Sequence, residues 1–134
     1  MPINLDKALG IYPQALALRA RRAEVLAANM ANADTPNYKA KDIDFKAVLN
    51  QARDQSSSNA SVLVRTHATH LPSGLDLTSG SVKYRVPEQS SLDGNTVDTE
   101  TEQAEFTRNA IQYQATLTFL NGRIRGLMTA IRGD

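Results

Sequence analysis

Apolar residues near the beginning of the chain recur at the spacing of an α-helix. Steps of three, four or seven residues place their side chains on one helical face, which Arg19 interrupts. A second line of apolar residues makes this face wide enough for more than one partner. Pro13 predicts a kink or a late helix start, because proline removes one helical hydrogen bond. The first line comprises Leu5, Leu9, Tyr12, Leu16, Ala23, Leu26 and Met30, and the second Ile11, Ala15, Leu18 and Val25.

The last third of the chain has a more regular helical pattern. Thr99 and Glu102 match a capping box, in which a hydroxyl and a carboxylate each accept a hydrogen bond from an unpaired backbone N–H. Glutamates crowd the first turns and arginines crowd the last, as the helix dipole favours. The pattern predicts a long C-terminal helix with one apolar line, formed by Phe106, Ala110, Tyr113, Leu117, Leu120, Ile124, Leu127 and Ile131.

Residues between these two patterns are more polar and less periodic. A short helix is predicted from Asp44, and short strands are predicted at 61–65 and 81–86. The predicted fold class is mainly α, with long N- and C-terminal helices packed as a coiled coil around an irregular middle that contains a short β-hairpin. The one structural domain is divided into an N-terminal helix, Asn-rich turn and short helix (1–53), a variable polar middle (54–97) and a C-terminal helix (98–134).

Composition narrows the possible classes of protein. The 134 residues carry 15 basic and 14 acidic side chains, a balance that argues against a nucleic-acid-binding protein. Cysteine is absent, so neither disulfides nor thiolate metal sites can form. There is no apolar run of about 18 residues, the length that predicts a membrane span. The first residues lack the basic start and apolar stretch of a cleavable signal peptide, so we expect any export to follow another route.

Candidate chemical sites are weak. His67 and His70 have the spacing of two zinc ligands on a helix, but no third ligand lies near them in sequence. Asp93, Asn95 and Asp98 resemble part of a calcium loop, but the glycine and the closing glutamate are misplaced, and a plain turn is favoured. No nucleophile, phosphate-loop or dinucleotide signature occurs. We therefore predict no enzyme, no cofactor and no small-molecule substrate.

One basic cluster and one pair of glycines remain. Arg19, Arg21 and Arg22 are interpreted as a solvated helix face able to pair with carboxylates on a neighbour, and contact with nucleic acid or anionic lipid is the alternative. Gly122 and Gly126 cost about 1 kcal/mol each relative to alanine in a helix. Close approach of another helix along their face would explain them.

The segment from Ala27 to Ala40 contains more side-chain amide than a helix end needs. Pro36 stops the helix and pushes Thr35 toward extended geometry. Asn37 falls where a turn requires a left-handed backbone, which asparagine tolerates better than most residues. The remaining amides and Asp34 exceed what a helix stop needs, and side chains of this kind also pair across interfaces.

Residues 28–38, ANMANADTPNY, resemble the N-terminal signature of the flagellar basal-body rod and hook family, A-N-[ILM]-A-N-x-x-T-P-G-Y. The chain departs from this pattern at Asn37, where the family has glycine. Residues 42–45, residues 91–98 and the Tyr113–Gln114 pair resemble the proximal-rod members of the family. The resemblance covers about residues 5–53 and 88–131, and the chain has no room for the inserted domains of hook and distal-rod members.

This resemblance implies a structural subunit that leaves the cytoplasm through the flagellar type III apparatus without a cleaved signal. It implies assembly in the periplasm with copies of itself and other rod proteins, next to the MS-ring junction and the export gate. The resulting helical tube would transmit torque and enclose the export channel. Expected turn and subunit-contact residues are Asn29, Asn32, Asp34, Thr35, Pro36, Asn37 and Tyr38, and expected helix-packing residues are Leu9, Leu16, Leu26, Phe106, Tyr113, Leu117, Leu120, Ile124 and Leu127.

Two other classes of function use the same features. A soluble helical adaptor or export chaperone would bind one client through the apolar faces and remain a small oligomer. A binder of nucleic acid or a membrane surface would use the arginine cluster of the first helix, and its binding would be sensitive to salt.

Overall fold

The computed structural model describes residues 8–57, 82–87 and 91–133 of the chain. The described part is mainly helical, with a small two-stranded antiparallel sheet between its helices. We number its helices and strands in chain order. They are α1 (Tyr12–Ala31), β1 (Lys41–Ile43), α2 (Phe45–Ser57), β2 (Val82–Tyr84) and α3 (Thr99–Arg132). The predicted fold class, mainly α with long helices toward both ends and a short antiparallel pair between them, is confirmed.

Helix α1 begins where Pro13 predicts a late start. The chain turns at Gly10, whose φ of 65° lies in the left-handed region that glycine adopts without strain. Pro13 then occupies the first turn of the helix, where its missing N–H would have had no helical partner. Proline therefore marks the beginning of α1 and does not kink it.

The cap of α3 differs from the predicted capping box. Asp98 is the N-cap, and its side chain accepts a hydrogen bond from the backbone N–H of Glu100. The Thr101 hydroxyl donates to the same carboxylate at 2.7 Å. The box assigned to Thr99 and Glu102 is wrong, because Glu102 turns inward and is almost completely buried.

Helices α1 and α3 run antiparallel along most of α1. Tyr12 lies beside Phe119 with ring centroids 6.5 Å apart, and Asn29 contacts Glu102 at the other end of α1. The residues of α3 buried against α1 are polar and seven apart, so they occupy one helical face. We call Glu102, Asn109 and Thr116 the polar seam.

The small sheet and α2 cover one part of α1. Strand β1 pairs with β2 in the register Ile43 opposite Val82. Leu18, Ile43 and Val48 form the buried apolar cluster. Strand β2 lies within the strand predicted at 81–86. It pairs with β1, a segment that was not predicted to be a strand. The strand predicted at 61–65 lies outside the described residues.

Helix α2 ends later than the predicted boundary between the first two segments. Asp44 precedes it and accepts a hydrogen bond from the backbone N–H of Ala47 at 3.1 Å, so this carboxylate caps the helix as its position predicts. The helix continues to Ser57. The division of the chain at residue 53 therefore falls inside α2, because the polar residues that follow still adopt helical geometry.

Candidate functional site

The turn after α1 is built by the asparagines of the signature segment. Asn32 ends the helix, and its side-chain amide donates to the carbonyl oxygen of Ala28 at 2.8 Å. The Thr35 hydroxyl donates to the Asn32 side-chain oxygen at 3.2 Å. Asn37 has a φ of 60°, so it adopts the left-handed conformation predicted from its position after Pro36. Local side-chain bonds thus satisfy backbone groups that a helix end leaves without partners.

Residues 91–96 hold this turn from the other side. The Asn95 side-chain amide donates to the carbonyl oxygens of Asn32, Ala33 and Thr35 at 3.1, 2.6 and 2.9 Å. The backbone N–H of Asn37 donates to the carbonyl oxygen of Asp93 at 2.9 Å. A segment sixty residues away in sequence therefore caps the end of α1. The sequence predicted only a turn at Asn95 and gave no sign of this role.

Asn29 lies inside the subunit. Its side chain is fully buried and donates to the Lys41 carbonyl oxygen at 2.7 Å and to Glu102 at 3.1 Å. The Lys41 backbone N–H donates back to the Asn29 side-chain oxygen at 3.0 Å. Tyr38 reaches the same oxygen with its hydroxyl at 3.4 Å. In the isolated chain this amide therefore joins α1 to β1 and α3, and it is not available to a second subunit.

Other members of the predicted turn set are open to solvent. Asp34, Thr35, Pro36 and Asn37 are exposed, and Asn32 is half-buried. This exposed edge is the part of the signature segment that a neighbouring molecule could contact.

A group of charged residues connects α1, both strands and α3. Arg22 forms a bidentate salt bridge with Asp42, with both N···O distances 2.8 Å. It also donates to Glu105 at 2.9 Å. Arg85 donates to Asp42 at 2.8 Å and to Glu102 at 2.7 Å. We call these five residues the ionic cluster. Two arginines face three carboxylates, and the exposed Arg108, 3.5 Å from Glu105, supplies the third positive charge.

Burial and pairing act differently on the acids of this cluster. Burial disfavours the ionised form of Asp42, but hydrogen bonds from Arg22, Arg85 and the Ile43 N–H outweigh burial and lower its pKa. Burial raises the pKa of Glu102, because the bond from Asn29 and the charge of Arg85 offset it only in part. The bond to Asp42 raises the pKa of Arg22 further above its usual value, so this guanidinium stays charged.

Arg19 differs from Arg22 although both belong to the basic cluster of the sequence. Its guanidinium lies 4.3 Å from the centre of the Phe45 ring and donates to Gln112 at 2.6 Å. Arg21 is exposed and pairs with Glu24 on the same helix. Two of the three arginines therefore point into contacts within the chain, which leaves Arg21 as the exposed member of the cluster.

Apolar side chains of α3 lie beside the polar seam and face outward. Seven large apolar side chains of α3 are between 37% and 79% exposed, and five of them have the spacing that places them on one side of the helix. No charged residue interrupts this face between Phe106 and Ile131, because the arginines of α3 lie on other faces. We call Phe106, Tyr113, Ile124, Met128 and Ile131 the outward stripe.

The predicted helix-packing residues are distributed over the buried face and this stripe. Leu26 is completely buried, and five others are half-buried: Leu9, Leu16, Leu117, Leu120 and Leu127. Phe106, Tyr113 and Ile124 belong to the outward stripe. The polar seam was not predicted, because its only signal in the sequence is a spacing of seven residues between polar positions that a helical pattern assigns to solvent.

The remaining sequence candidates offer no chemistry within the described residues. His67 and His70 lie outside these residues, and no three acidic or histidine side chains inside the described ranges are grouped to hold a metal ion. None of the described helices is both long and apolar enough to cross a membrane.

Comparison with known proteins identifies the signature segment. The family model described as "Flagella basal body rod protein" matches residues 14–39, which contain most of α1 and the Asn-rich turn. The chain is 47% identical over 134 residues to the flagellar basal body rod protein FlgB of Escherichia coli K12, with 96% of each chain covered. It is 49% identical to the FlgB protein of Cereibacter sphaeroides, with 94% of each chain covered. The Aeromonas hydrophila FlgB protein is 44% identical, and the match covers 100% of this chain and 99% of that protein. This chain therefore belongs to the FlgB family of flagellar basal body rod proteins, a family of structural proteins.

Proposed function

We propose that this chain is a subunit of the proximal rod that assembles with other rod proteins into a helical tube. The tube transmits torque and encloses the export channel. The observation that carries this proposal is the outward stripe, which leaves large apolar side chains of the longest helix exposed in a single chain. Contiguous exposed apolar surface on a soluble fold marks a protein–protein contact.

The division of α3 into two faces supports assembly. Its polar seam is used within the chain: Glu102 contacts Asn29 and Arg85, and Asn109 donates to the Arg19 carbonyl oxygen at 2.9 Å. These directional bonds set the register of α3 against α1. The apolar face is thereby left for helices of neighbouring subunits, which would bury it as in a coiled coil.

The exposed edge of the Asn-rich turn is a second contact in this proposal. Asp34, Thr35, Pro36 and Asn37 project from a turn that is held on both sides by hydrogen bonds, so little ordering is required when a neighbour binds. The proposed neighbours are copies of the same chain, other rod proteins, the MS-ring junction and the export gate. Assembly takes place in the periplasm after export without a cleaved signal peptide.

An experiment in cells tests the proposal. The full chain is expressed in Escherichia coli cells that lack their own FlgB, and swimming and the content of isolated basal bodies are measured. We expect the full chain to enter basal bodies, and chains lacking residues 1–30 or 105–134 to be absent from them. Incorporation of both truncated chains at the level of the full chain would contradict the proposal.

Substitutions in the turn separate assembly from folding. Asn32→Ala and Pro36→Ala are expected to reduce incorporation into basal bodies more than they lower the midpoint of thermal unfolding, because Pro36 is exposed and Asn32 is only half-buried. Lys46→Ala, at an exposed position of α2, is the control for surface substitution. Normal incorporation of both turn variants would show that the turn serves only to end α1.

The same experiments address the adaptor alternative. An adaptor or export chaperone would bind one client in the cytoplasm and would be absent from isolated basal bodies. Recovery of the chain in a stoichiometric complex with one client, and not in basal bodies, would favour that function.

A further inference from the structure

We propose that copies of this chain join head to tail through the two ends of α3. The C-terminal end of α3 in one copy enters an open cleft beside the N-terminal end of α3 in the next copy. This inference rests on the proposed function, because it specifies how one subunit of the assembly meets another.

The first surface, which we call the tail, is the end of α3. Met128 and Ile131 are exposed large apolar side chains, and Arg125 and Arg132 are exposed beside them. Residues 106–134 contain four arginines and one acid, Asp134, so the net charge of this segment is positive. The negative end of the helix dipole gives them only partial compensation. The tail is therefore both apolar and basic.

The second surface, which we call the head, surrounds a cleft of about 920 Å³ next to the first turn of α3. Its lining includes Val86, Asp98 and Glu100. Arg85 also lines it, but its guanidinium is paired with Asp42 and Glu102. The Val86 side chain is exposed, as is Leu92, which follows the cleft-lining Ser91. The carboxylates of Asp98 and Glu100 are exposed as well. The head is therefore both apolar and acidic.

Head and tail are complementary, but one chain cannot join its own two ends. The 34 residues of α3 separate them by about 50 Å along a single helix at 1.5 Å per residue. Each copy that binds leaves one head and one tail free, so the contact can repeat. A contact between two different surfaces of identical molecules produces an open helical array unless its rotation closes a ring. Opposite charges orient the two copies, and the apolar side chains provide buried area.

Charge reversal tests this contact in the full-length chain. A tail variant carries Arg125→Glu and Arg132→Glu, and a head variant carries Glu100→Lys. Sedimentation velocity is measured for each variant alone and for an equimolar mixture at low salt, and circular dichroism checks that each variant is folded. Lys46→Glu, an exposed charge reversal on α2, is the matched control.

We expect each variant alone to associate at least about tenfold more weakly than the unmodified chain. The mixture is expected to recover association, because each altered end meets an end of opposite charge. The control is expected to associate like the unmodified chain. Association of the single variants at the original strength, or a mixture no stronger than its components, would overturn the proposal.

Two further outcomes would also overturn it. The unmodified chain could remain a monomer up to about 1 mM at low salt. Alternatively, association could require a different rod subunit, which would exclude a second copy of this chain as the occupant of the head. Incorporation into basal bodies is measured for the same variants. Normal incorporation together with unchanged association would reject the head-to-tail contact and leave the proposed rod function standing.

Discussion

At the scale of single residues, the Asn-rich turn depends on contacts made by residues that are distant in sequence. Asn95 donates to three carbonyl oxygens of the turn, and the Asp93 carbonyl oxygen accepts from the backbone N–H of Asn37. Gly94 lies between Asp93 and Asn95 in the sequence and has a φ of 73°. A side chain on Gly94 would begin 2.6 Å from the Asn37 side-chain oxygen, closer than atoms of this kind approach without movement.

Gly94→Ala is therefore expected to destabilise the chain by about 2 kcal/mol, from the left-handed backbone and from the close approach to Asn37. Asn37→Gly should remove the contribution of the close approach, because it removes the Asn37 side chain. In the Asn37→Gly background we expect Gly94→Ala to cost about 1 kcal/mol less. Urea unfolding of the four chains measures this coupling. Equal costs in both backgrounds would show that the Asn37 side chain moves away freely.

Asp42 is the residue on which the ionic cluster depends most, because both arginines pair with it. Asp42→Asn leaves two largely buried guanidinium groups with reduced compensation, and we expect a loss of about 2 kcal/mol at pH 7. Asp34→Asn, an exposed change in the turn, is the control and should alter stability by less than about 0.5 kcal/mol.

The loss of stability caused by Asp42→Asn should depend on pH with a definite sign. The pKa of Asp42 is lower in the folded chain, so its contribution to stability is present above the pKa of the unfolded chain, about 4. The contribution is lost as the pH falls through the lower folded pKa. Glu102 behaves in the opposite way: burial raises its pKa, so its protonation near and below the unfolded pKa favours the fold. Urea unfolding should show a smaller Asp42→Asn difference at about pH 2 than at pH 7. An equal difference at both pH values would contradict the assignment to ion pairing.

At the scale of elements, α3 buries polar residues that its sequence does not indicate as buried. The apolar spacing predicts the helix correctly, because a period of 3.6 residues is visible locally. The same pattern assigns Glu102, Asn109 and Thr116 to solvent, yet these residues are buried. Their partners include Asn29, 73 residues away in sequence, and such pairings leave no local pattern.

Short strands are equally hard to predict from the sequence. Strand β1 has three residues, too few to show an alternating pattern. It is a strand because it pairs with β2, where Lys41 lies opposite Tyr84, and this partner is distant in sequence. The left-handed conformation of Asn37 and the cap of α2 by Asp44 were predictable, because turn and cap chemistry is local. What the sequence leaves open are long-range polar contacts: the role of Asn95, the ionic cluster and the inward position of Asn29.

Gly122 and Gly126 give a prediction at this scale. A β-carbon on either glycine would meet nothing within 4 Å, so no close packing within the described residues explains them. Replacing both with alanine is expected to stabilise the isolated chain by about 1 kcal/mol per site, because glycine is a poor helix former. Thermal and urea unfolding measure the gain.

Close approach of a helix from a neighbouring subunit along their face would explain the two glycines. In that case Gly122→Ala and Gly126→Ala together should lower incorporation into basal bodies although the isolated chain is more stable. Unchanged incorporation would remove close packing as an explanation for the two glycines.

At the scale of the whole molecule, the isolated chain buries only part of its apolar surface. Its buried apolar cluster is small, and its two long helices meet partly through polar contacts. Large apolar side chains of α3 remain exposed over the length of the outward stripe. Burial of apolar surface contributes about 25 cal/mol per Å², so covering this stripe would add substantially to the stability of an assembly.

The central claim is that the outward stripe becomes covered when the chain enters the rod. The chain contains no cysteine, so Tyr113→Cys introduces a single thiol on the stripe. Maleimide labelling rates are compared for the isolated folded chain, the chain unfolded in urea and the chain in isolated basal bodies. We expect labelling in basal bodies to be at least about tenfold slower than in the isolated chain, because a neighbouring helix covers the thiol. Equal rates in these two states would contradict the account.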